Sequence, residues 1–197
     1  MTQQQIDSVT ANGLGTNGPS TADGLCDSSI RPVAFASGES SFKKEHSFGP
    51  LLQPHSIQIA ETDEEILSTY DAMRNLHPEI PREDYLFRVR LLESEQNYTI
   101  AALRIDGRVV SVAGFRLCRS LGWGRFLYVD DLVTDAEDRS TGCGGSLFAW
   151  LVQRAKDENC TELRLDSAVF RTRAHRFYFL QHMDIACFHF RIAIAQK

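Results

Sequence analysis

Apolar residues recur along the chain at two spacings, and the switch between them separates helices from strands. Thr62-Asp63-Glu64-Glu65 has the form of a capping box, in which Thr62 and Glu65 satisfy each other's orphan backbone amides. Ile66, Tyr70, Met73 and Leu76 then share one face at helical spacing, which predicts a helix ending near Pro78. Pro81 suits the first turn of a second helix, whose stripe is Tyr85, Val89 and Leu92. From Tyr98 the period shortens. Tyr98–Ile105 reads as a strand, Asp106-Gly107 as a tight hairpin turn, and Arg108–Arg119 as the returning strand. After the loop Ser120–Gly124, Arg125–Thr134 is a third strand, RFLYVDDLVT. The loop DAEDRSTGCG leads to a helix from Gly145 to Glu158, with Leu147, Phe148, Leu151, Val152 and Ala155 toward the core. Thr161–Ser167 is a strand, Arg173–Gln181 a short helix and Ile185–Ala195 a final strand. A strand, helix, strand unit places its two strands parallel, so the expected class is α/β, with a mixed sheet flanked by helices.

Residues 1–55 differ in kind. They hold 6 of the 13 glycines and 12 Ser or Thr, but no Tyr or Trp. Such a segment cannot bury enough apolar surface to offset the entropy of ordering it, so it is expected to be a disordered tail, with residues 56–197 as the domain. Phe35, Phe42 and Phe48 could still dock locally on the domain. Its acidic residues make a poor organelle transit peptide, and MTQQQIDSVT lacks the basic and apolar regions of a secretory signal.

Charge and cysteine content narrow the functional classes. Lys plus Arg is 21 against 26 Asp plus Glu, a net charge of -5, which argues against a nucleic-acid coat. No apolar run approaches the roughly 18 residues of a membrane span. The five cysteines include no C-x-x-C pair, so neither a metal site nor a disulfide framework is expected. A reducing compartment, cytoplasmic or nuclear, is the expected setting.

The most informative segment is Arg139-Ser140-Thr141-Gly142-Cys143-Gly144-Gly145, between a strand and a helix. A helix start offers unpaired amides and a positive dipole end, and glycines let an anion come close. Arg139 adds a charged fork. These features point to a pyrophosphate. A Walker loop would need Lys after its last glycine, where this chain has Ser146-Leu147, and a dinucleotide fingerprint would follow the first strand of the domain. A plain glycine-rich turn remains the bland alternative.

R-x-x-G-x-G after a strand, then an amphipathic helix, a strand and Phe177-Tyr178, resembles the GCN5-related N-acetyltransferase superfamily. The resemblance is carried by Tyr128–Thr134, Arg139–Gly144, Leu163–Ser167 and Ala174–Tyr178, and covers about residues 56–197. It implies the acyl-CoA N-acyltransferase fold, with a centrally splayed sheet. It implies acetyl-CoA as co-substrate, no metal, and a primary amine as acceptor, either a small molecule or a protein. The amides of Ser140, Thr141, Gly142, Cys143, Gly144 and Gly145 would hold the pyrophosphate with Arg139. Backbone of Leu132, Val133 and Thr134 would pair with the pantetheine arm, the side chains of Leu132 and Val133 being turned to the core. An amide near Leu132 or Val133 would polarise the thioester carbonyl.

By the same resemblance Tyr178 would protonate the departing thiolate. Asp130 and Asp131 are adjacent and would point to opposite faces unless a bulge redirects one. Asp131 is the candidate base, with pairing to an arginine such as Arg164 as the alternative. Asp166, at a strand end, would bind substrate or hold its loop. His175 is read as a structural hydrogen-bonder, Cys143 as a backbone contributor rather than an acyl carrier, and Arg171, Arg173 and Arg176 as a basic cluster for the 3'-phosphate or a solvated face. One departure stands out: His182 occupies the place of a usual glycine after the tyrosine helix, and would have to accept a left-handed conformation. A non-catalytic coenzyme A-binding scaffold and, more remotely, a nucleotide-binding protein are the rival readings. A homodimer is left open. The acceptor would be chosen by the first helices and the Ser120–Gly124 loop, and the net charge leans toward a cation.

Overall fold

The chain is described by a computed structural model over residues 55–194. The expected disorder of the tail falls on residues 1–54, outside the described residues. His55, which the sequence reading assigned to that tail, instead opens a strand, β1 (His55–Ile59). The alternation of Ile57 and Ile59 is its signal, too short to stand out beside a polar segment. β1 is followed by α1 (Asp63–Ser68), α2 (Tyr70–Met73), α3 (Arg82–Gln96), β2 (Thr99–Ile105), β3 (Arg108–Ser120), β4 (Gly124–Thr134), α4 (Cys143–Asp157), β5 (Glu162–Leu165) and α5 (Thr172–Leu180).

The capping box forms as expected: Thr62 Oγ1 accepts from the Glu65 amide, and the Glu65 carboxylate accepts from the Thr62 amide. The single helix predicted after it is two. At Thr69 the amide donates to the Ile66 carbonyl, three residues back, and the hydroxyl donates to the same oxygen at 2.6 Å. A threonine that bonds its own preceding turn tightens the helix there. At the hairpin, Asp106 and Gly107 both take left-handed backbone, with φ of 49° and 79°, as a turn between right-twisted strands requires.

The sheet runs β1-β2-β3-β4-β5, antiparallel except for the β4–β5 pair, which is parallel across α4. One face packs on α4, burying Leu103, Phe115, Leu127, Leu147 and Leu151. The other packs on α1, α2 and α3, burying Ile66, Met73, Tyr85, Val89 and Ile100. β4 stays paired with β3 as far as Thr134, but its pairing with β5 stops at Val129 and Leu165. The sheet is therefore splayed beyond that point.

A bulge interrupts the β3–β4 ladder between Gly114 and Phe115, where Gly114 pairs with Asp131 and Phe115 with Val129. The extra residue, Asp130, resets the alternation, so Asp130 and Asp131 emerge on the same face, toward α1–α3. This corrects the expectation of opposite faces and realises the bulge considered for it. The Tyr98 ring lies across Gly114. A Cβ at that position would fall 1.8 Å from Tyr98 Oη and 2.7 Å from an Asp131 carboxylate oxygen.

The final strand, Ile185–Ala195, does not form over the described residues 185–194. Alternation supplies the pattern of a strand but not its partner. Phe188, Phe190, Ile192 and Ile194 are all well exposed. β5 is also shorter than predicted at both ends, and Asp166, just past it, accepts from Tyr128 and His189. At the end of α5, His182 does take a left-handed conformation, φ 62°. Its amide donates to the Phe179 carbonyl and the Met183 amide to that of Tyr178, the paired bonds of a Schellman cap.

Two stability predictions follow from backbone geometry. His182→Gly removes the cost of a Cβ at positive φ and should raise stability by about 1 kcal/mol, read as a higher urea midpoint with unchanged slope. Gly114→Ala has no such room: the Tyr98 ring must move, and the midpoint should fall by the equivalent of about 2 kcal/mol. An unchanged midpoint in Gly114→Ala would rule out the close approach of Tyr98.

Candidate active site

The loop after β4 is built to present backbone. Ser140 and Gly142 are left-handed, with φ of 68° and 98°. Gly142 is the residue before the first turn of α4 and gives it no side-chain cap. The first helical bond runs from the Ser146 amide to the Gly142 carbonyl at 3.0 Å, so the amides of Cys143, Gly144 and Gly145 have no helical acceptor. Gly144 faces Thr134, whose Oγ1 would be 3.1 Å from an added Cβ. The loop is pinned by side chains. Thr141 Oγ1 donates to the Asp138 carbonyl, and Arg139 Nε donates to the Thr134 carbonyl at 3.2 Å. Arg108, from the hairpin, holds Asp138 through two bonds of 2.8 and 3.0 Å. Cys143 is buried in the core on the α4 side, its Sγ 3.1 Å from Thr141 Oγ1.

Leu132, Val133 and Thr134 form the end of β4 that has lost β5. Leu132 packs on the α4-side core and Val133 is buried on the other side, so both side chains are core, as expected. Ser111 Oγ donates to the Val133 carbonyl at 2.9 Å, and lies 3.0 Å from Thr134 Oγ1.

The face toward α1–α3 carries a row of polar groups beside this edge. Asp131 accepts from Tyr98 Oη and from His77 Nε2, each at 2.5 Å, one bond on each carboxylate oxygen. Burial, followed by the charge of Asp131, raises the Tyr98 phenol well above its usual range, so it stays a donor. The hydrogen bond to Asp131 raises the His77 imidazole above 6.5 against its own partial burial. Asp130 is paired with Arg116 through bonds of 2.7 and 2.8 Å, so the arginine partner exists but is Arg116. Arg164 instead bonds Glu162 and stacks at 3.6 Å over Trp123. Asp166 accepts from Tyr128 Oη and from His189 Nδ1, both at 2.7 Å.

α5 leans on the start of α4 through Phe177, whose ring meets Phe148 edge-on at 6.0 Å and lies next to Gly144. Tyr178, beside it, is half-buried, and burial raises its phenol, with Arg171 acting weakly the other way. No described contact joins Tyr178 to Asp131. His175 Nε2 donates to the Ala168 carbonyl at 3.0 Å, the structural bond expected of it. Arg171, Arg173 and Arg176 are exposed. Among the described residues no His, Cys, Asp and Glu groups gather as a metal cluster, and no helix is long and apolar enough to cross a membrane.

Sequence reasoning thus located the loop and the strand edge, and missed their supports. His77 lies on a turn with no periodic signal. Tyr98 reads as an ordinary strand residue. Arg116 and Arg108 gain meaning only once the register of β3 is known. The adjacent aspartates were the one clue that partners had to exist nearby, since a carboxylate turned toward a core is paired.

The model of the acetyltransferase (GNAT) family matches residues 59–182. A Bacillus subtilis (strain 168) protein described as the uncharacterized N-acetyltransferase YhdJ is 31% identical over 124 residues, covering 63% of this chain and 87% of that protein. The fold is similar to a ribosomal-protein-alanine N-acetyltransferase from Brucella melitensis biovar Abortus 2308, with TM-score 0.63 and 15% identity over 72% of this chain and all of that one. It is also similar to glucosamine-6-phosphate N-acetyltransferase from Arabidopsis thaliana, with TM-score 0.58 and 16% identity over 73% of this chain and all of that one. With the family match spanning more than half of its length, this chain belongs to the GNAT acetyltransferase family and is an acyltransferase.

Proposed function

We propose that the chain transfers an acetyl group from acetyl-CoA to a primary amine by direct attack. The observation that carries this reading is the meeting, at one end of the sheet, of a stretch of β4 with no strand on its β5 side and the uncapped start of α4. The edge that β5 leaves is open to strand addition, and an amide-containing arm can supply the added strand. The uncapped amides need an anion, and a diphosphate suits them. The residues therefore fit acetyl-CoA, which when bound would supply an acetyl group activated as a thioester.

Ser140, Thr141, Gly142, Cys143, Gly144 and Gly145 would hold the diphosphate through their backbone, with Arg139 adding charge. Leu132, Val133 and Thr134 would hold the arm through theirs, and an amide near Leu132 or Val133 would hold the acyl oxygen. Tyr178 Oη would keep the proton that the leaving sulfur takes. Its burial favours the neutral phenol at neutral pH, which suits an acid. The acceptor approaches with the opposite need, because an amine of pKa about 10.4 is mostly protonated at neutral pH. Asp131 is the carboxylate that would draw that proton away, from the α1–α3 face. The four described cysteines are unpaired, which supports a reducing, cytoplasmic setting.

Calorimetry with acetyl-CoA tests the binding half, and should give a saturable heat. Gly142→Val, which forces a branched side chain to φ 98°, should weaken that binding by about tenfold, the equivalent of the 1–2 kcal/mol cost of a left-handed L-residue. Tyr178→Phe should lower kcat by about 10²-fold while leaving acetyl-CoA affinity within about twofold. Undiminished kcat in Tyr178→Phe would remove the tyrosine from the acid role.

A further inference from the structure

His77 entered no reading of the sequence, yet it is the group that solvent can reach in the Asp131 network. The Asp131 side chain is 12% exposed and that of His77 35% exposed. Both Asp131 oxygens already accept, one from His77 Nε2 and one from Tyr98 Oη. Tyr98 is itself 6% exposed and lies beneath the carboxylate, against Gly114. An incoming amine therefore meets the imidazole before it meets the carboxylate.

The orientation of the ring adds a second constraint. Asp131 can only accept, so the bond at Nε2 requires a proton there. In the neutral ring that proton fixes the tautomer, and the lone pair is left on Nδ1. Nδ1 is on the outer side of the ring, where the protonated ring donates to the exposed Glu79 carboxylate at 3.3 Å and the neutral ring gives up that bond. Once Nδ1 is deprotonated, its lone pair and the Glu79 carboxylate face each other as two acceptors, a gap that an incoming ammonium can fill with its own N–H groups.

We propose that His77 takes the proton of the acceptor amine at Nδ1, and that Asp131 is a positioning residue acting through it, held in turn by Tyr98. This rests on the acetyl-transfer reading above and replaces its direct use of Asp131 with a relay. The proton balance is simple. An N–H bond of the ammonium breaks, its electron pair stays on nitrogen, and the proton adds to the Nδ1 lone pair. The resulting imidazolium faces Asp131 on one side and Glu79 on the other. The proton then passes to water.

The pH behaviour distinguishes a proton acceptor from a structural bond. The groups facing His77 are Asp131 from β4, Glu79 from its own turn, Arg88 acting on Glu79 from α3, and the neutral phenols Tyr98 and Tyr85 near Asp131. Asp131 dominates and raises the proton affinity of His77, so the neutral, accepting form grows as pH rises above 6.5.

The experiment uses the full chain and a panel of spermidine, kanamycin and a lysine peptide, with release of free thiol from acetyl-CoA as the readout. The His77 imidazole is titrated by NMR in the same buffer. In wild type the acidic limb of kcat/KM should coincide with the NMR midpoint. Asp131→Asn should move both to lower pH together, and His77→Gln should lower kcat by about 10²-fold with acetyl-CoA affinity unchanged. A wild-type limb away from the NMR midpoint overturns the proposal without any variant having to fold. So does a limb that stays put in Asp131→Asn while the midpoint moves, or a His77→Gln enzyme within about threefold of wild type. Loss of thiol release in wild type across the whole panel is a different outcome: it overturns the acetyl-transfer reading and this proposal with it.

Discussion

Strand β4 has a partner on one side for its whole length and on the other for only part of it. Its bonds to β3 run to Thr134, while those to β5 end at Val129. An amide or carbonyl stripped of water costs free energy unless it is paired, so a half-paired strand end inside a protein is a place for something else to bind. The chain meets the splay by sending β5 away after Leu165 and by starting α4 beside the same end of the sheet. Phe177 of α5 then packs on Phe148 of α4, which brings Tyr178 alongside. Strand edge, helix start and phenol are thus consequences of one parting of strands.

The bulge at Gly114 does for side chains what the splay does for backbone. Without the extra residue, one aspartate would enter the α4-side core among Leu127, Val129 and Leu147, where nothing could pair it. With it, both face α1–α3, and each finds a partner: Asp130 meets Arg116, and Asp131 meets Tyr98 and His77. Gly114 is what allows this, because Tyr98 occupies the space a Cβ would need.

Local signals were legible in the sequence, and long-range ones were not. The capping box, the Asp106-Gly107 turn, the α4 stripe and the glycine loop are set by residues within a few positions of one another; the first two form where expected, while α4 begins at Cys143, two residues before the expected Gly145, and leaves Val152 only half-buried. The break at Thr69 was hidden because a threonine hydroxyl turning on its own helix leaves the apolar spacing intact. The strand Ile185–Ala195 was overread because alternation says which face is apolar and nothing about whether an edge is available to pair. The facing of Asp130 and Asp131 depended on a bulge in a ladder whose other strand lies about fifteen residues away. His77, 54 residues before Asp131, has no local mark at all. The splay itself could be anticipated only through family resemblance, since it depends on where two strands stop pairing.

The His77–Asp131 bond also ties the turn after α2 to β4, and its strength changes with protonation. A histidine whose folded pKa is raised contributes stability that is fully present below its unfolded value near 6.5, and that is lost as pH climbs through the raised value. Partial exposure screens the effect, so it is a modest contribution. The consequence is a conflict within one residue. The protonated ring holds the turn to the sheet most firmly, whereas the neutral ring is the one able to accept a proton. Catalysis through His77 would therefore work where the attachment of that turn is weaker, with the uncharged Tyr98 bond, unaffected over the same range, keeping Asp131 in place.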